Sequence, residues 1–220
     1  MWRDFPAKLA AATGCGALVY SRAGYGGSDP VPLPRPLSYM HDEGLTVLPA
    51  LLAAAGVREH VLVGHSDGAS IAIVNAGGAA AHGLRAVVLE AAHVFTEQVS
   101  VRSIAAAAET YRTTDLPEKL RRWHGDNTDC AFWGWNRAWL DPGFLEWNIE
   151  EYLPRIHVPV LAIQGVADEY GTVAQLDSIR GKAGAGAEIL LLPDCGHSPH
   201  RDQPAAVLAA MTRYIAAQLK

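Results

Sequence analysis

The clearest chemistry lies in five residues in the first third of the chain. Gly64-His65-Ser66-Asp67-Gly68 has the spacing G-x-S-x-G, between the β-formers Val61-Leu62-Val63 and a small-residue helical pattern from Ala69 to Ala76. Glycine and serine are common, so the five alone say little. Between an apolar strand and a helix they become specific. A sharp strand-to-helix turn puts the central serine in an uncommon backbone conformation with its hydroxyl exposed, and the flanking glycines leave room where a Cβ would collide. The backbone N–H of Asp67 then lies at the positive end of a helix, where it can meet a developing oxyanion. An ordinary glycine-rich turn is the plainer reading, and the flanking strand and helix favour Ser66 as a nucleophile.

A serine hydroxyl at neutral pH needs a base, and the base needs an acid to orient it. In open α/β sheets such groups gather at the carboxyl ends of strands. Two loops satisfy that rule: Gln164-Gly165-Val166-Ala167-Asp168-Glu169 after one apolar run, and Pro193-Asp194-Cys195-Gly196-His197-Ser198-Pro199-His200 after another. Asp168 is therefore read as the acid and His197 as the base. Glu169 and Glu90 compete for the acid role, the latter because it ends the strand after the nucleophile helix. His197 and His200 form an H-x-x-H pair, but no third metal ligand sits at a suitable spacing, so no metal is expected. His65 and His93 are expected to line the substrate site or satisfy core hydrogen bonds. The Asp67 carboxylate complements the helix dipole and is not expected to catalyse.

The positioning elements alternate strand and helix. Residues 2–12 have helical spacing with Gly14 as a stop, and Gly16–Tyr20 reads as a short buried strand. Ser21 to Asp29 is a glycine-rich loop. Asp29 stands where a dinucleotide fingerprint has its third glycine and no Gly-Lys-Ser/Thr follows, so a structural loop is favoured over a phosphate loop. A proline-rich connector, 30–36, leads to an amphipathic helix with a kink expected at Pro49 and an end at Gly56. Apolar runs at 61–63, 86–90, 158–163 and 187–192 predict parallel strands covered on both faces. The last helix is expected to start with Asp202 as N-cap and to bury Val207, Leu208, Met211, Tyr214 and Ile215. Between roughly 96 and 150 the pattern turns helical and holds five tryptophans, at 123, 133, 135, 139 and 147. They can anchor a small subdomain or form an aromatic lid over an apolar pocket, with Trp133 and Trp139 as the expected substrate contacts.

Composition narrows the classes. A chain of 220 residues, half of them hydrophobic and 19% charged, has the makings of a globular core. A net charge of -5, with no basic run longer than Arg121-Arg122, argues against nucleic acid as a partner. Cys15, Cys130 and Cys195 cannot all pair and have no C-x-x-C spacing, which fits a reducing, cytoplasmic setting. No apolar run reaches membrane-spanning length.

Taken together, G-H-S-x-G at 64–68, G-x-x-D at 165–168, G-H at 196–197 and the loop before Ser28 resemble the α/β-hydrolase superfamily, in its lidded esterase, lactonase and carbon–carbon hydrolase branch. The chain order Ser, Asp, His is the order of that superfamily. The resemblance covers the whole chain except for weak similarity in the lid. It implies Ser66 as nucleophile, Asp168 as acid, His197 as base and the Asp67 N–H as one oxyanion donor. Where relatives carry Asp-x-Arg-Gly after the early strand, this sequence has Ser21 and Ala23 with Arg22 between them. The family's N-terminal hairpin, next strand and His-Gly loop, which supplies the second oxyanion donor, have no counterpart here. The expectation is a chain short at its N-terminus, Met1 falling within a helix, with a central strand and the second donor missing, and hence weakened stability and activity.

The expected architecture is an α/β-hydrolase core at 1–95 and 151–220 with a helical lid at 96–150. The expected activity is cofactor-free hydrolysis of a small ester, lactone or related carbonyl compound through an acyl-enzyme. The expected partner is a small-molecule substrate, with neither nucleic acid nor membrane, and with a homodimer as a compatible assembly. The competing expectation is an impaired hydrolase-fold protein that binds a small hydrophobic ligand without turnover.

Overall fold

The computed structural model describes residues 2–79 and 82–219; Met1, which the sequence reading places inside a helix, lies outside them. One parallel sheet runs in the order β1 (His60–His65), β2 (Leu84–Glu90), β3 (Val160–Gly165), β4 (Ala187–Leu192). The helices in chain order are α1 (Phe5–Thr13), α2 (Tyr39–Asp42), α3 (Leu48–Ala54), α4 (Asp67–Gly78), α5 (Gln98–Thr113), α6 (Leu116–His124), α7 (Thr128–Trp139), α8 (Val173–Lys182), α9 (Pro199–Asp202) and α10 (Pro204–Gln218). The chain divides into two compact units.

The first unit comprises the residues up to Ala17, Met40–Phe95, and those from Asn148 onward, and holds the sheet. Side chains alternate along a strand, so Ala86 and Val88 of β2 share a face with Leu161 and Ile163 of β3. That face packs on Phe5 of α1 and on Val207, Met211, Tyr214 and Ile215 of α10. From α4, Ile71, Ala72, Ile73 and Val74 are buried. Gly14 ends α1 in the left-handed conformation, φ 72°, and its N–H bonds to the Ala10 carbonyl. The irregularity expected at Pro49 takes the form of a π-helical turn over Glu43–Val47. Proline has no N–H to give, and its ring crowds the carbonyl four residues back.

Two expectations give way here. Gly16–Tyr20 forms no strand; Leu18 and Val19 are 52% and 58% exposed. An apolar run becomes a strand only with a ladder partner, and among the described strands β1 bonds to β2 alone. Asp202 does not cap the last helix, which starts at Pro204 after Gln203. Its carboxylate accepts the Gly196 N–H instead, at 2.9 Å.

The second unit comprises Leu18–Tyr39 and Thr96–Trp147. Trp139 is 1% exposed, packs on Phe144 and Trp147, and donates its indole N–H to the Tyr39 hydroxyl at 3.2 Å. Tyr111 stacks on Phe132 at 3.9 Å, and the Arg112 and Arg137 guanidiniums lie 5.1 and 5.3 Å from the half-buried Trp133 ring. The glycine-rich loop belongs to this unit because its polar groups are met there. Gly26 donates to His124 Nδ1 at 3.1 Å, and Asn127 donates to the carbonyls of Gly26 and Ser28. A side chain at Gly24, φ 81°, would put its Cβ 2.4 Å from the Arg35 guanidinium. Among the described residues no helix is long and apolar enough to cross a membrane.

Candidate active site

Ser66 occupies the turn between β1 and α4 with φ 53° and ψ -123°, a conformation an L-residue rarely adopts. Its own N–H donates to the Glu90 carbonyl at 2.9 Å, which anchors the turn to the end of β2. Gly64 is required for space: a Cβ there would lie 2.3 Å from the Gly68 carbonyl oxygen. Gly68 is not, because a Cβ there meets nothing within 4 Å. The motif's two glycines thus differ: the close approach of β1 to the start of α4 makes the first steric and leaves the second free to carry a Cβ. Asp67 opens α4, so its N–H points out of the helix start, and its side chain is buried.

The structure brings Ser66, His197 and Asp168 into one line. His197 Nε2 lies 3.0 Å from Ser66 Oγ, and His197 Nδ1 lies 2.8 Å from Asp168 Oδ1. The same Asp168 oxygen accepts the N–H groups of Tyr170 at 2.8 Å and Gly171 at 3.2 Å, a local turn in which an aspartate bonds the backbone just ahead of it. Burial alone would raise the Asp168 pKa. The hydrogen bond and charge of His197 and the Tyr170 N–H outweigh it, and the carboxyl sits below its usual range. Gly165, at the end of β3, lets the loops meet: a Cβ there would lie 2.0 Å from the Cys195 carbonyl oxygen.

The competing residues go elsewhere. Glu90 bonds His200 Nδ1 at 2.8 Å, and Glu169 accepts the His197 backbone N–H at 3.2 Å. The two histidines of the H-x-x-H pair therefore face different carboxylates. Among the described residues no group of three or more His, Cys, Asp or Glu is poised to hold a metal.

Three rings surround the His197 imidazole: Tyr170 at 4.7 Å, His65 at 5.0 Å and His93 at 5.7 Å between centroids. Both histidines are buried, His65 with Nε2 2.6 Å from the His197 carbonyl and His93 with Nε2 3.1 Å from the Tyr170 carbonyl. Burial pushes the His65 pKa down to about 3 and lowers that of His93, with the nearby His197 adding to both shifts. Each is a neutral imidazole at ordinary pH, donating Nε2–H to a carbonyl. Tyr170 escaped the sequence reading; its only signal was its position two residues after the acid. Trp133 and Trp139, read as substrate contacts, have the placements described for the second unit.

A strand-end serine, histidine and aspartate on a parallel sheet define a class of hydrolytic enzymes. Residues 1–210 match the model of the alpha/beta hydrolase family, and the chain belongs to that family. Hydrolysis is the activity class that this membership supports. No curated protein matches the sequence. Among solved structures it is similar to a thermophilic esterase from Thermogutta terrifontis with malate bound, at 18% identity over 98% of this chain and 85% of that one, TM-score 0.70. It is also similar to VinJ, at 22% identity over 98% of this chain and 86% of that one, TM-score 0.71. A proline iminopeptidase from Mycobacterium smegmatis matches at 17% identity over 98% and 85%, TM-score 0.72. At these identities the likeness is one of fold.

Proposed function

We propose that this protein is a serine hydrolase acting on a small carboxylic ester or lactone with an apolar group. The reading rests on the continuous hydrogen-bond line from Ser66 Oγ through the His197 ring to Asp168 Oδ1. In this mechanism Ser66 Oγ attacks the substrate carbonyl while His197 Nε2 takes its proton, and the ionised Asp168 stabilises the resulting imidazolium. The Asp67 N–H, at the start of α4, stabilises the oxyanion of the tetrahedral intermediate. His197 then protonates the leaving alcohol, an acyl-Ser66 remains, and water activated by His197 releases the acid. Neutral His65 and His93 add no positive charge beside the imidazolium, which favours its formation.

The esterases among the structural neighbours, and a monoacylglycerol lipase from Paleococcus ferrophilus, make esters the first substrates to try. The test is labelling by a fluorophosphonate probe and turnover of p-nitrophenyl esters graded by acyl length. Wild type should be labelled and active, and Ser66→Ala should lose both, with a turnover loss of about 10⁴-fold or more. A wild-type protein that binds the esters, resists the probe and releases no p-nitrophenol would refute the reading and favour a ligand-binding role.

A further inference from the structure

We propose that His65, inside the nucleophile motif, is a positioning residue for the base, acting through its hydrogen bond to the His197 main chain. The inference rests on the reading of Ser66 and His197 as nucleophile and base.

The need for such a residue follows from topology. The base is carried by the loop after β4, at one edge of the sheet, while the nucleophile follows β1 at the other edge. The loop must reach across the strand ends to bring His197 Nε2 to Ser66, and a main-chain bond from the Ala167 N–H to the Cys195 carbonyl, at 2.9 Å, holds its start to the loop after β3. From Gly196 onward, side chains also catch its main chain. Asp202 accepts the Gly196 N–H and Glu169 accepts the His197 N–H, but both acids are exposed and exchange with water. Glu90, 0% exposed, accepts the His200 N–H at 3.1 Å, and His65, 7% exposed, holds the His197 carbonyl. Water competes less for a bond whose side-chain partner is buried, so these two ties hold the loop more firmly than the exposed pair.

Register explains why these two ties come from these residues. His65 and Glu90 are partners across the β1–β2 ladder, each last in its strand, and strand alternation turns both side chains to the same face. Trp2, with its ring 4.4 Å from that of His200, and Phe5 at 5.8 Å close the same group from the α1 side. Of the two, His65 acts on the base residue itself. It is also covalently next to Ser66, so one side chain ties nucleophile and base together. A neutral imidazole suits this task, because Nε2–H donates to the carbonyl without placing a charge 5.0 Å from the His197 ring.

The experiment compares His65→Phe, His65→Gln and His65→Asn with wild type, using p-nitrophenyl butyrate turnover, fluorophosphonate labelling rates and thermal melts. His65→Phe keeps a ring and loses the donor. We expect its kcat to fall about 10–100-fold, with KM within about twofold, as for a base displaced by a fraction of an ångström. His65→Gln, whose amide reaches the carbonyl, should recover most of that loss, and the shorter His65→Asn should not. A folded His65→Phe with wild-type kcat, or a loss confined to KM, overturns the inference. If His65→Phe fails to fold, Gln against Asn decides, and equal kcat for those two overturns it. A wild-type protein that resists the probe instead overturns the nucleophile reading, and the inference falls with it. Normal wild-type labelling with unchanged variants sinks the inference alone.

Discussion

The two glycines of the nucleophile motif should respond in opposite ways to the same methyl group. At position 64 an added Cβ would lie 2.3 Å from the Gly68 oxygen, 2.5 Å from the Gly68 carbonyl carbon and 2.6 Å from the Ala69 nitrogen. All three atoms are backbone at the start of α4, so no side chain can swing aside. Since ordinary contact begins near 3.4 Å, strand and helix must part by about 1 Å in Gly64→Ala. Overpacking of that kind costs about 1–3 kcal/mol, and more where the backbone cannot relax. For a chain of this size each kcal/mol shifts Tm by about 2–4 °C, so a drop of about 2–12 °C is expected. The same displacement moves Ser66 relative to His197, and a shift of about 1 Å costs on the order of 10²-fold in rate. Gly68→Ala meets nothing within 4 Å and lies in the first turn of α4. Alanine is the better helix former by up to about 1 kcal/mol, so Tm should hold or rise by a few degrees and kcat should stay near wild type. Scanning fluorimetry and p-nitrophenyl ester turnover on the purified pair decide the matter. A Gly64→Ala protein that melts and turns over like wild type, or a Gly68→Ala protein that loses as much as its neighbour, would refute the steric account.

Two further outcomes are expected. In Asp168→Asn the amide oxygen should stay at the Oδ1 position, because two backbone N–H groups and His197 Nδ1 converge there. The His197 tautomer is then kept and only the negative charge is lost, so kcat/KM should fall about 10²–10³-fold, short of the ~10⁴ that follows when the tautomer inverts. A drop beyond about 10⁴ would place the amide nitrogen against His197. Stability should also decline as pH falls from 7 towards 4. Burial holds the folded His65 pKa down at about 3, so over that window the unfolded chain binds a proton there that the folded chain does not, and the contribution, complete above the ordinary imidazole value, is lost on acidification; the lowered His93 pKa acts in the same direction. Asp168, also depressed, adds loss in the same direction at the acid end. His197, His200 and Asp168 all act on His65, yet burial dominates, so His65→Phe should flatten the Tm-against-pH slope; a slope equal to wild type would show that His65 does not carry it.

Much of this was legible in the residues because it depends on local order. Alternating strand and helix patterns, the helix stop at Gly14 and the placing of Ser66, Asp168 and His197 after β1, β3 and β4 all follow from neighbours in the chain. The expected buried strand at Gly16–Tyr20 failed because pairing is decided by a partner far away, and periodicity carries no record of whether one is there. Gly64 and Gly68 look alike as letters, and only the close approach of strand to helix start separates the one that must lack a Cβ from the one that need not. The same holds for the acids. Asp168, Glu90 and Glu169 were all eligible by position, and distance alone gives the first to the His197 ring, the second to His200 and the third to a backbone N–H. Asp202 drops its expected cap because the loop fold brings Gly196 within reach. By itself, then, the sequence determined which side chains stand at strand ends, since that is a property of short-range pattern. The tertiary structure alone decided which of them touch, because hydrogen bonds and steric exclusion act over a few ångströms between residues as far apart as His65 and His197.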